Sequence, residues 1–357
     1  MTSGIADIPL IDVGRGGASA LCEARPDAAA ALIGDALGTA PLLRLAARVA
    51  DPLSRSWLER HGNPYLHEIQ TVARRLDVVG VYFLNVVYEW ACSTSAGPAP
   101  DGTGMRLIRI LDWGLKGTGR HGVIARHDSD AGSFFNATWP GYAGVITAMA
   151  PGRFAAAINQ APGPAELGVR LFDEVAQRWR MLRGREALPA SHLLRRVFEE
   201  APDYDAALAM LMDRSTAVAV PALFTLAGVK AGEGAVIEAF GAERRLNRAT
   251  AETGFVVGVA NDWLSPDLKG KPRSHAVSRD GETPAENNRT RLGQVCDLHR
   301  ANAFAGTGDV PPPVLNAHTV MVATANAAAG SFDVEMLDRP DGEAMPVVVA
   351  RRSLRAA

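Results

Sequence analysis

The chain has 357 residues, of which 47% are hydrophobic and 21% charged, so it can bury the core of one large domain or of two ordinary ones. Its 37 Lys and Arg residues nearly balance its 39 Asp and Glu residues, and it contains no long basic run. This charge balance argues against nucleic acid as a partner and against binding to an anionic membrane surface.

Compartment and cofactors follow from the cysteines and from the apolar segments. Cys22, Cys92 and Cys296 are odd in number and far apart, which fits neither a disulfide framework nor metal-ligand spacing. The N-terminus lacks the basic flank and apolar run of a signal peptide, and no segment approaches the ~20 apolar residues of a membrane span. We therefore expect a cytoplasmic protein without stable membrane insertion, without a metal and without a cofactor.

The first quarter of the chain predicts helices. Apolar residues recur at every third or fourth position in the stretches 27–50 and 63–90, with good helix formers between them. Near Cys92 this pattern gives way to short runs rich in β-branched residues and bounded by Gly, Pro and Asp. The chain therefore divides into a mostly helical segment 1–91 and a second segment 92–357 that contains the predicted strands.

The second segment predicts strands and helices in separate runs. Four β-like runs, expected to be adjacent antiparallel strands, are "MRLIRILDW", "HGVIARHD", "AGVITAMAPG" and "FAAAINQAP". Helices are then predicted within 164–212, strands in "ALFTLAG", "GAVIEAFG" and "GFVVGVAN", a long polar loop over 264–288, a helix over 291–304 and closing strands from His318. This order indicates an α+β protein with layers of sheet and helix.

The stretch "NVVYEWACSTSAGPAP" contains the candidate nucleophile, Cys92. A nucleophilic cysteine needs a nearby cation, a base and hydrogen-bond donors for an oxyanion. A hairpin through "AGPAPDGTG" would bring Arg109 back beside Cys92, whereas Asp112 faces the other side of an ideal strand and reaches the same site only from the strand end. The residues alone also allow a buried structural cysteine and a solvated ion pair.

Four motifs resemble the acid ceramidase and N-acylethanolamine acid amidase branch of the N-terminal nucleophile hydrolases. The wider relatives of that branch include the bile salt hydrolases and the penicillin V acylases. The motifs are "FLNVVYEWACSTS", "RILDW", "WPGYAGVITAMAPGRF" and the opening "IPLIDV". The resemblance implies a four-layer αββα sandwich of antiparallel sheets with an N-terminal helical segment.

The resemblance also implies roles for individual residues. Cys92 corresponds to the nucleophile, Arg109 to the cation beside its sulfur, and Asp112 to the residue that orients and accepts from the Cys92 α-amine. In "VANDWLSP", Asn261 corresponds to the donor for the oxyanion. The later arginine of the family falls in "NNRTRL", where Arg289 is the better match and Arg291 the second choice.

Further candidates flank these motifs. Relatives have a glutamate after Asn or Asp at the end of the strand "RFAAAI", whereas this chain has Asn159 followed by Gln160, so the glutamate's contribution to self-cleavage does not carry over. The amides of Asn159 and Gln160 remain candidates for oxyanion binding. The aromatic residues Trp139 and Trp263 are candidates for substrate binding. We expect His127 and His275 to be solvated loop residues with no role.

The family mechanism implies self-cleavage between Ala91 and Cys92, after which the segments 1–91 and 92–357 stay associated. The freed α-amine, with an ordinary pKa of roughly 7.7 to 8, can take the thiol proton near neutral pH. The expected substrate is a linear amide of an N-acyl lipid, of the ceramide or N-acylethanolamine class. Two alternatives remain open: an acyltransferase of the isopenicillin N acyltransferase type, and a non-catalytic, unprocessed protein that binds acyl chains.

Overall fold

The computed structural model describes residues 5–37, 41–86, 90–115, 117–163, 187–268, 282–300 and 304–356. The helices in these ranges are α1 (Gly17–Ala24), α2 (Pro26–Leu37), α3 (Pro41–Arg60), α4 (Leu66–Leu76), α5 (Val81–Val86), α6 (Ala190–Glu200), α7 (Tyr204–Met212) and α8 (Pro284–Arg300). Among these described helices, none is both long enough and apolar enough to cross a bilayer.

The described strands build two large sheets and one two-stranded pair. They are β1 (Ala6–Asp7), β2 (Leu10–Gly14), β3 (Trp90–Pro98), β4 (Met105–Trp113), β5 (Val123–His127), β6 (Phe134–Thr138), β7 (Thr147–Ala150), β8 (Phe154–Gln160), β9 (Ala187–Leu188), β10 (Ala217–Val218), β11 (Ala222–Gly228), β12 (Gly234–Phe240), β13 (Glu243–Arg248), β14 (Val257–Val259), β15 (Thr319–Asn326), β16 (Ser331–Asp338) and β17 (Val347–Arg355). The first sheet has the order β1-β17-β16-β15-β4-β3-β14, and the second has the order β13-β12-β11-β8-β7-β6-β5-β2.

The two sheets pack face to face, and helices cover their outer faces. Strands β3 and β4 of the first sheet contact β8 and β11 of the second, α8 lies on the outside of β3 and β14, and α6 and α7 contact β8 and β11. Because both faces of the central strands are covered, these strands are apolar on both sides, as in "MRLIRILDW". The predicted α+β fold with a four-layer αββα sandwich is confirmed.

The N-terminal segment is more than a helical appendage, because it supplies a strand to each sheet. Strand β1 pairs with β17 at one edge of the first sheet, and β2 pairs with β5 at one edge of the second. Both pairings are parallel, so the expectation of purely antiparallel sheets is wrong at these two edges. The other pairings within the two large sheets are antiparallel.

Several predicted elements need correction. The strand "MRLIRILDW" lies in the first sheet, whereas the three strands predicted beside it lie in the second. Strand β6 is not predicted, because it is only five residues long and follows a turn. Strand β13 is not predicted either, because "ERRLNR" is a charged strand at the edge of its sheet. Helix α8 begins at Pro284, inside the predicted polar loop. The residues 164–186 and 269–281 lie outside the described ranges.

The prediction for His127 is also wrong. This residue lies on β5, is only 5% exposed and stacks on the ring of Phe134 with a centroid distance of 4.6 Å. Burial lowers the pKa of His127 to about 3, so the ring is neutral and part of the core. His275 lies outside the described residues.

Candidate active site

The β3–β4 hairpin determines which way each candidate side chain points. Cys92 pairs with Leu111, Thr94 with Arg109, and Ala91 with Asp112. Paired residues of an antiparallel ladder share a face, and faces alternate along the strand. The thiol and Arg109 therefore point between the sheets, while Asp112 points outward toward α8.

The turn of this hairpin requires a glycine. Gly104 has a φ of +69°, and a Cβ there would lie 2.3 Å from the carbonyl oxygen of Val229. Only glycine tolerates both the left-handed backbone and this close approach. The hairpin that brings Arg109 beside Cys92, predicted from the turn residues, is formed.

On the inner side, the thiol faces the guanidinium of Arg109. The Arg109 Nη1 donates to Thr94 Oγ1 at 2.9 Å and to Asn159 Oδ1 at 2.5 Å, while its Nε and Nη2 have no hydrogen-bond partner in the described part of the chain. Burial raises the pKa of the Cys92 thiol, and the positive charge of Arg109 opposes this by stabilising the thiolate.

On the outer side, two residues hold the backbone of Cys92. Its N–H donates to Asn261 Oδ1 at 2.7 Å, and its carbonyl oxygen accepts from Arg291 Nη2 at 2.5 Å. The same Arg291 nitrogen also donates to Asn261 Oδ1 at 3.1 Å. The peptide units on both sides of the Cys92 Cα are therefore fixed in place.

Asp112 lies next to Arg291 rather than at the Cys92 peptide nitrogen. Its carboxylate lies 3.7 Å from Arg291 Nη2 and accepts from Asn316 Nδ2 and Thr319 Oγ1, each at 2.8 Å. Burial raises the pKa of Asp112, and Arg291 opposes this shift. The acceptor at the Cys92 peptide nitrogen is Asn261 Oδ1, and the carboxylate of Asp112 lies next to Arg291 instead. The predicted contact of Asp112 with the α-amine stays a prediction.

The site carries an excess of positive charge. Cys92, Arg109, Asp112, Asn261 and Arg291 are each at most 1% exposed. Two arginines and one carboxylate are buried there, and only Arg291 lies close to Asp112, so the charge of Arg109 is unbalanced among these side chains. A thiolate at Cys92 would neutralise it, and this attraction opposes the larger effect of burial, which raises the pKa of the thiol.

The amide of Asn261 is oriented by its neighbours. Its oxygen faces the two N–H donors described above, whereas its Nδ2 donates to the carbonyl oxygen of Gln160 at 2.8 Å and, at 3.5 Å, to that of Trp90. Only this orientation matches donors with acceptors. The side chain of Gln160 accepts from the Trp90 N–H at 2.9 Å, so both polar backbone groups of Trp90 are held just before Ala91.

The remaining candidates lie in different places. Arg289 is exposed on α8, so Arg291 takes its place at the site. Asn159 has its oxygen and both amide hydrogens engaged and has no donor left for an oxyanion. Trp263 is partly buried and packs edge-to-face on Phe240, with a centroid distance of 6.3 Å.

Sequence reasoning missed four polar residues of the site. Thr94 contacts Arg109, Asn316 and Thr319 contact Asp112, and Asn288 accepts from the Asn261 N–H at 2.8 Å. Thr94 has a recognisable signal, because it is two positions after Cys92 and therefore on the same strand face. Asn288 lies in the motif "NNRTRL", three positions before Arg291 and on the same buried helix face, whereas Asn316 and Thr319 come from a distant segment and carry no local signal.

A small apolar pocket lies at the end of β4, the strand that pairs with the strand of Cys92. Its walls come from both segments of the chain, and Trp113 and Trp139, in edge-to-face contact at 5.2 Å, line one side of it. Trp113 in turn contacts Trp90 at 5.9 Å. The Nε1 of Trp139 is bonded to the carbonyl of Thr118, so this predicted substrate-binding residue offers an apolar surface.

Comparison with solved structures identifies the architecture. The N-acylethanolamine-hydrolyzing acid amidase ortholog of Caenorhabditis elegans aligns with a TM-score of 0.50 at 18% identity, over 66% of this chain and 93% of its own. The chain has the N-terminal nucleophile hydrolase fold. This agrees with the fold that the motifs around Cys92 predicted.

Two further structures align with lower scores. A mutant of the conjugated bile acid hydrolase from Clostridium perfringens has a TM-score of 0.44 at 9% identity, over 74% of this chain and 97% of its own. The penicillin V acylase from Agrobacterium tumefaciens has a TM-score of 0.38 at 11% identity, over 69% and 83%. No family model matches the sequence, and a search of curated proteins finds no match.

Proposed function

We propose that the protein is an N-terminal cysteine amidase that cleaves its own Ala91–Cys92 bond and then hydrolyses a linear N-acyl amide. One observation carries this proposal. The thiol of Cys92 faces Arg109, which has no carboxylate bonded to it in the described part of the chain, while Asn261 and Arg291 hold the backbone of Cys92. A buried cysteine with only a structural role needs neither contact.

Self-cleavage uses the groups already around Cys92. Its sulfur attacks the carbonyl carbon of Ala91, the C–N bond breaks, and the Cys92 nitrogen takes a proton and becomes an α-amine. Water then hydrolyses the Ala91 thioester, which restores the thiol and leaves a carboxylate on Ala91. Asn261 Oδ1, which accepts from this nitrogen in the intact chain, continues to hold it as an amine.

Turnover of the substrate repeats this chemistry. The α-amine takes the thiol proton, Arg109 stabilises the thiolate, and the sulfur attacks the substrate carbonyl. The Asn261 Nδ2–H that reaches the carbonyl oxygen of Trp90 only at 3.5 Å becomes available to the oxyanion once the chain before Cys92 moves away. The amine product leaves with a proton, and water releases the acyl group from the sulfur.

The apolar lining of the pocket at the end of β4 supports a substrate with a lipid-like acyl group. Its single amide, that of Asn85, is fully used by the carbonyls of Val81 and Gly141 and by the N–H of Ala143. An acyl chain there meets aromatic and aliphatic walls and no free amide. From this lining and from the resemblance of the motifs, we propose that the substrate is an N-acyl amide of the ceramide or N-acylethanolamine class.

Intact-mass analysis of the purified protein tests the proposal. Two masses, for residues 1–91 and 92–357, are expected, and a β-lactone probe should add its mass to the larger piece only. Cys92→Ala should remain one chain and take no probe, while Cys22→Ala, which removes a buried thiol of α1, should be cleaved and labelled normally. An intact, unlabelled wild-type chain with copurified lipid would instead identify an acyl-chain binding protein.

A further inference from the structure

Asn159 on β8 uses its whole hydrogen-bonding capacity at the centre of the site. Its Oδ1 accepts from Arg109 Nη1 at 2.5 Å and from Thr94 Oγ1 at 2.6 Å. Its Nδ2 donates to the carbonyl oxygens of Val259 and Ala260 at 3.0 and 2.8 Å. With two acceptor contacts and two donor contacts, this amide has no group left for substrate.

The first pair of contacts orients the guanidinium. Thr94 and Asn159 both bind Arg109 Nη1, and Thr94 also donates to Asn159, so the three side chains form a closed triangle. Because the guanidinium is planar, fixing one nitrogen restricts where the other two can point. These other two nitrogens of Arg109, Nε and Nη2, have no hydrogen-bond partner in the described residues. The Arg109 side chain also interacts electrostatically with the Cys92 thiol.

The second pair of contacts fixes the strand that precedes the other catalytic amide. Val259 is the last residue of β14, Ala260 follows it, and Asn261 comes next. Holding the two carbonyls before Asn261 restricts the backbone from which its side chain extends to Cys92. Asn159 is therefore hydrogen-bonded through its oxygen to Arg109 and through its nitrogen to the segment that carries Asn261.

We propose that Asn159, with Thr94, is a positioning residue that directs Arg109 at the Cys92 sulfur and ties it to the segment of Asn261. This inference rests on the proposed function for its catalytic meaning, but the arrangement can be tested without turnover. The other charged groups near the thiol are Asp112 on β4, Arg291 on α8 and, after the proposed self-cleavage, the Cys92 α-amine, and the described hydrogen bonds of the Asn159 side chain go to none of them.

The test is the pH dependence of Cys92 alkylation by iodoacetamide, quantified by peptide mass spectrometry. Asn159→Leu should raise the inflection by about one pH unit and slow labelling at pH 7 by about tenfold, because a displaced cation stabilises the thiolate less. Thr94→Val leaves the hydrogen bonds from Asn159 to the carbonyl oxygens of Val259 and Ala260 in place. It should shift the inflection in the same direction by a smaller amount. Asn136→Leu replaces an equally buried asparagine of the same sheet and serves as the matched control.

The outcomes separate a positioning role from a structural one. If Asn159→Leu and Thr94→Val keep the wild-type inflection while Asn159→Leu is destabilised like Asn136→Leu, Asn159 is only a core residue and the inference is overturned. Should Asn159→Leu fail to fold, Thr94→Val alone decides the question. A protein that hydrolyses no amide but shows the expected shifts refutes the proposed function and supports the positioning role.

Discussion

Two buried arginines of this molecule have opposite surroundings. Arg195 on α6 is 3% exposed and binds both carboxylate oxygens of Glu68, at 2.8 and 2.7 Å, and one of Glu199 at 2.8 Å. Arg109 is fully buried and bonds only to a hydroxyl and an amide oxygen, with two of its nitrogens lacking a hydrogen-bond partner in the described residues. Both lie in the interior, but only Arg195 has its charge matched.

The difference is visible in the direction of their pKa shifts. Burial alone would lower the pKa of Arg195, but the contacts with Glu68 and Glu199 raise it above the ordinary value. Burial lowers the pKa of Arg109, and its strongest compensating attraction is to Cys92. Removing a matched buried arginine leaves its carboxylates unpaired and destabilises the fold, whereas the charge of an unmatched buried arginine can stabilise a group that ionises in the proposed reaction.

The largest expected effect belongs to Arg195, the arginine whose charge is matched by carboxylates. Arg195→Leu leaves Glu68 and Glu199 without their partner and should lower the free energy of unfolding by about 3–5 kcal/mol. Because Glu68 belongs to α4, the loss should also weaken the contact between segments 1–91 and 92–357. Urea unfolding measures the first effect and gel filtration of the purified protein the second. A loss below about 1 kcal/mol would place this network with ordinary surface ion pairs.

On the unmatched side, the largest expected effect belongs to Asn261. Its removal takes away a donor whose bond strengthens only as charge develops on the carbonyl oxygen. Asn261→Ala should lower kcat roughly 10²- to 10³-fold, or about 3 to 4 kcal/mol, with little change in KM. Steady-state kinetics on an N-acyl amide measures both constants. Unchanged kcat with weakened lipid binding would assign Asn261 to the walls of the binding site.

Arg109→Leu should separate activity from stability. Removing an unmatched buried charge should leave the free energy of unfolding unchanged or raise it. The rate of probe labelling at Cys92 should nevertheless fall about 10- to 100-fold, because the thiolate loses its neighbouring cation. Thermal unfolding and intact-mass labelling check the two halves. If the variant unfolds like Arg195→Leu and labels like the wild type, the two arginines do not differ as we infer.

The smallest expected effect concerns pH and lies next to Arg195. Burial, followed by the charge of Arg195, lowers the pKa of His192 to about 3, and its Nδ1 lies 2.9 Å from Asn63 Nδ2. The unfolded chain binds a proton below about pH 6.5 that the folded chain does not, so stability is present above that pH and falls as the pH decreases toward 3. Each such histidine contributes about 1.4 kcal/mol per pH unit in this range.

His192→Gln tests this contribution, because glutamine keeps an acceptor for Asn63 but takes up no proton. The wild type and the variant should differ in the pH dependence of unfolding by about half a proton at pH 6.5, rising to about one proton at pH 5. Urea titrations at these two values measure the difference. An identical slope in both proteins would mean that His192 is already protonated, or exposed, in the folded state.

The parts of the site that the sequence predicted are those carried by short local motifs. The turn between Cys92 and Arg109 fixes a hairpin, so their proximity follows from spacing. The preference for Arg289 over Arg291 is wrong, because the rotation of α8 brings Arg291 to Cys92 and leaves Arg289 exposed. The signal was present, because Arg291 is four residues before Val295 and so shares its buried helix face, whereas Arg289 does not.

The contacts of Asp112 and Asn159 could not be predicted in the same way. Asn316 and Thr319 reach Asp112 from more than 200 positions away, as a result of the pairing of β15 with β4. A single sequence contains the propensity of each strand but not the order in which strands pair. For the same reason "MRLIRILDW" was recognised as a strand and assigned to the wrong sheet.

The strands β1 and β2 have a practical consequence for anyone who produces this protein in pieces. A chain that begins at residue 92 lacks both of them and presents the unpaired N–H and C=O groups of β17 and β5 at the sheet edges. Bare edges of this kind recruit strands from other molecules and lead to aggregation. The catalytic segment should therefore be expressed with residues 1–91, in one chain or beside it, and the proposed self-cleavage should follow folding.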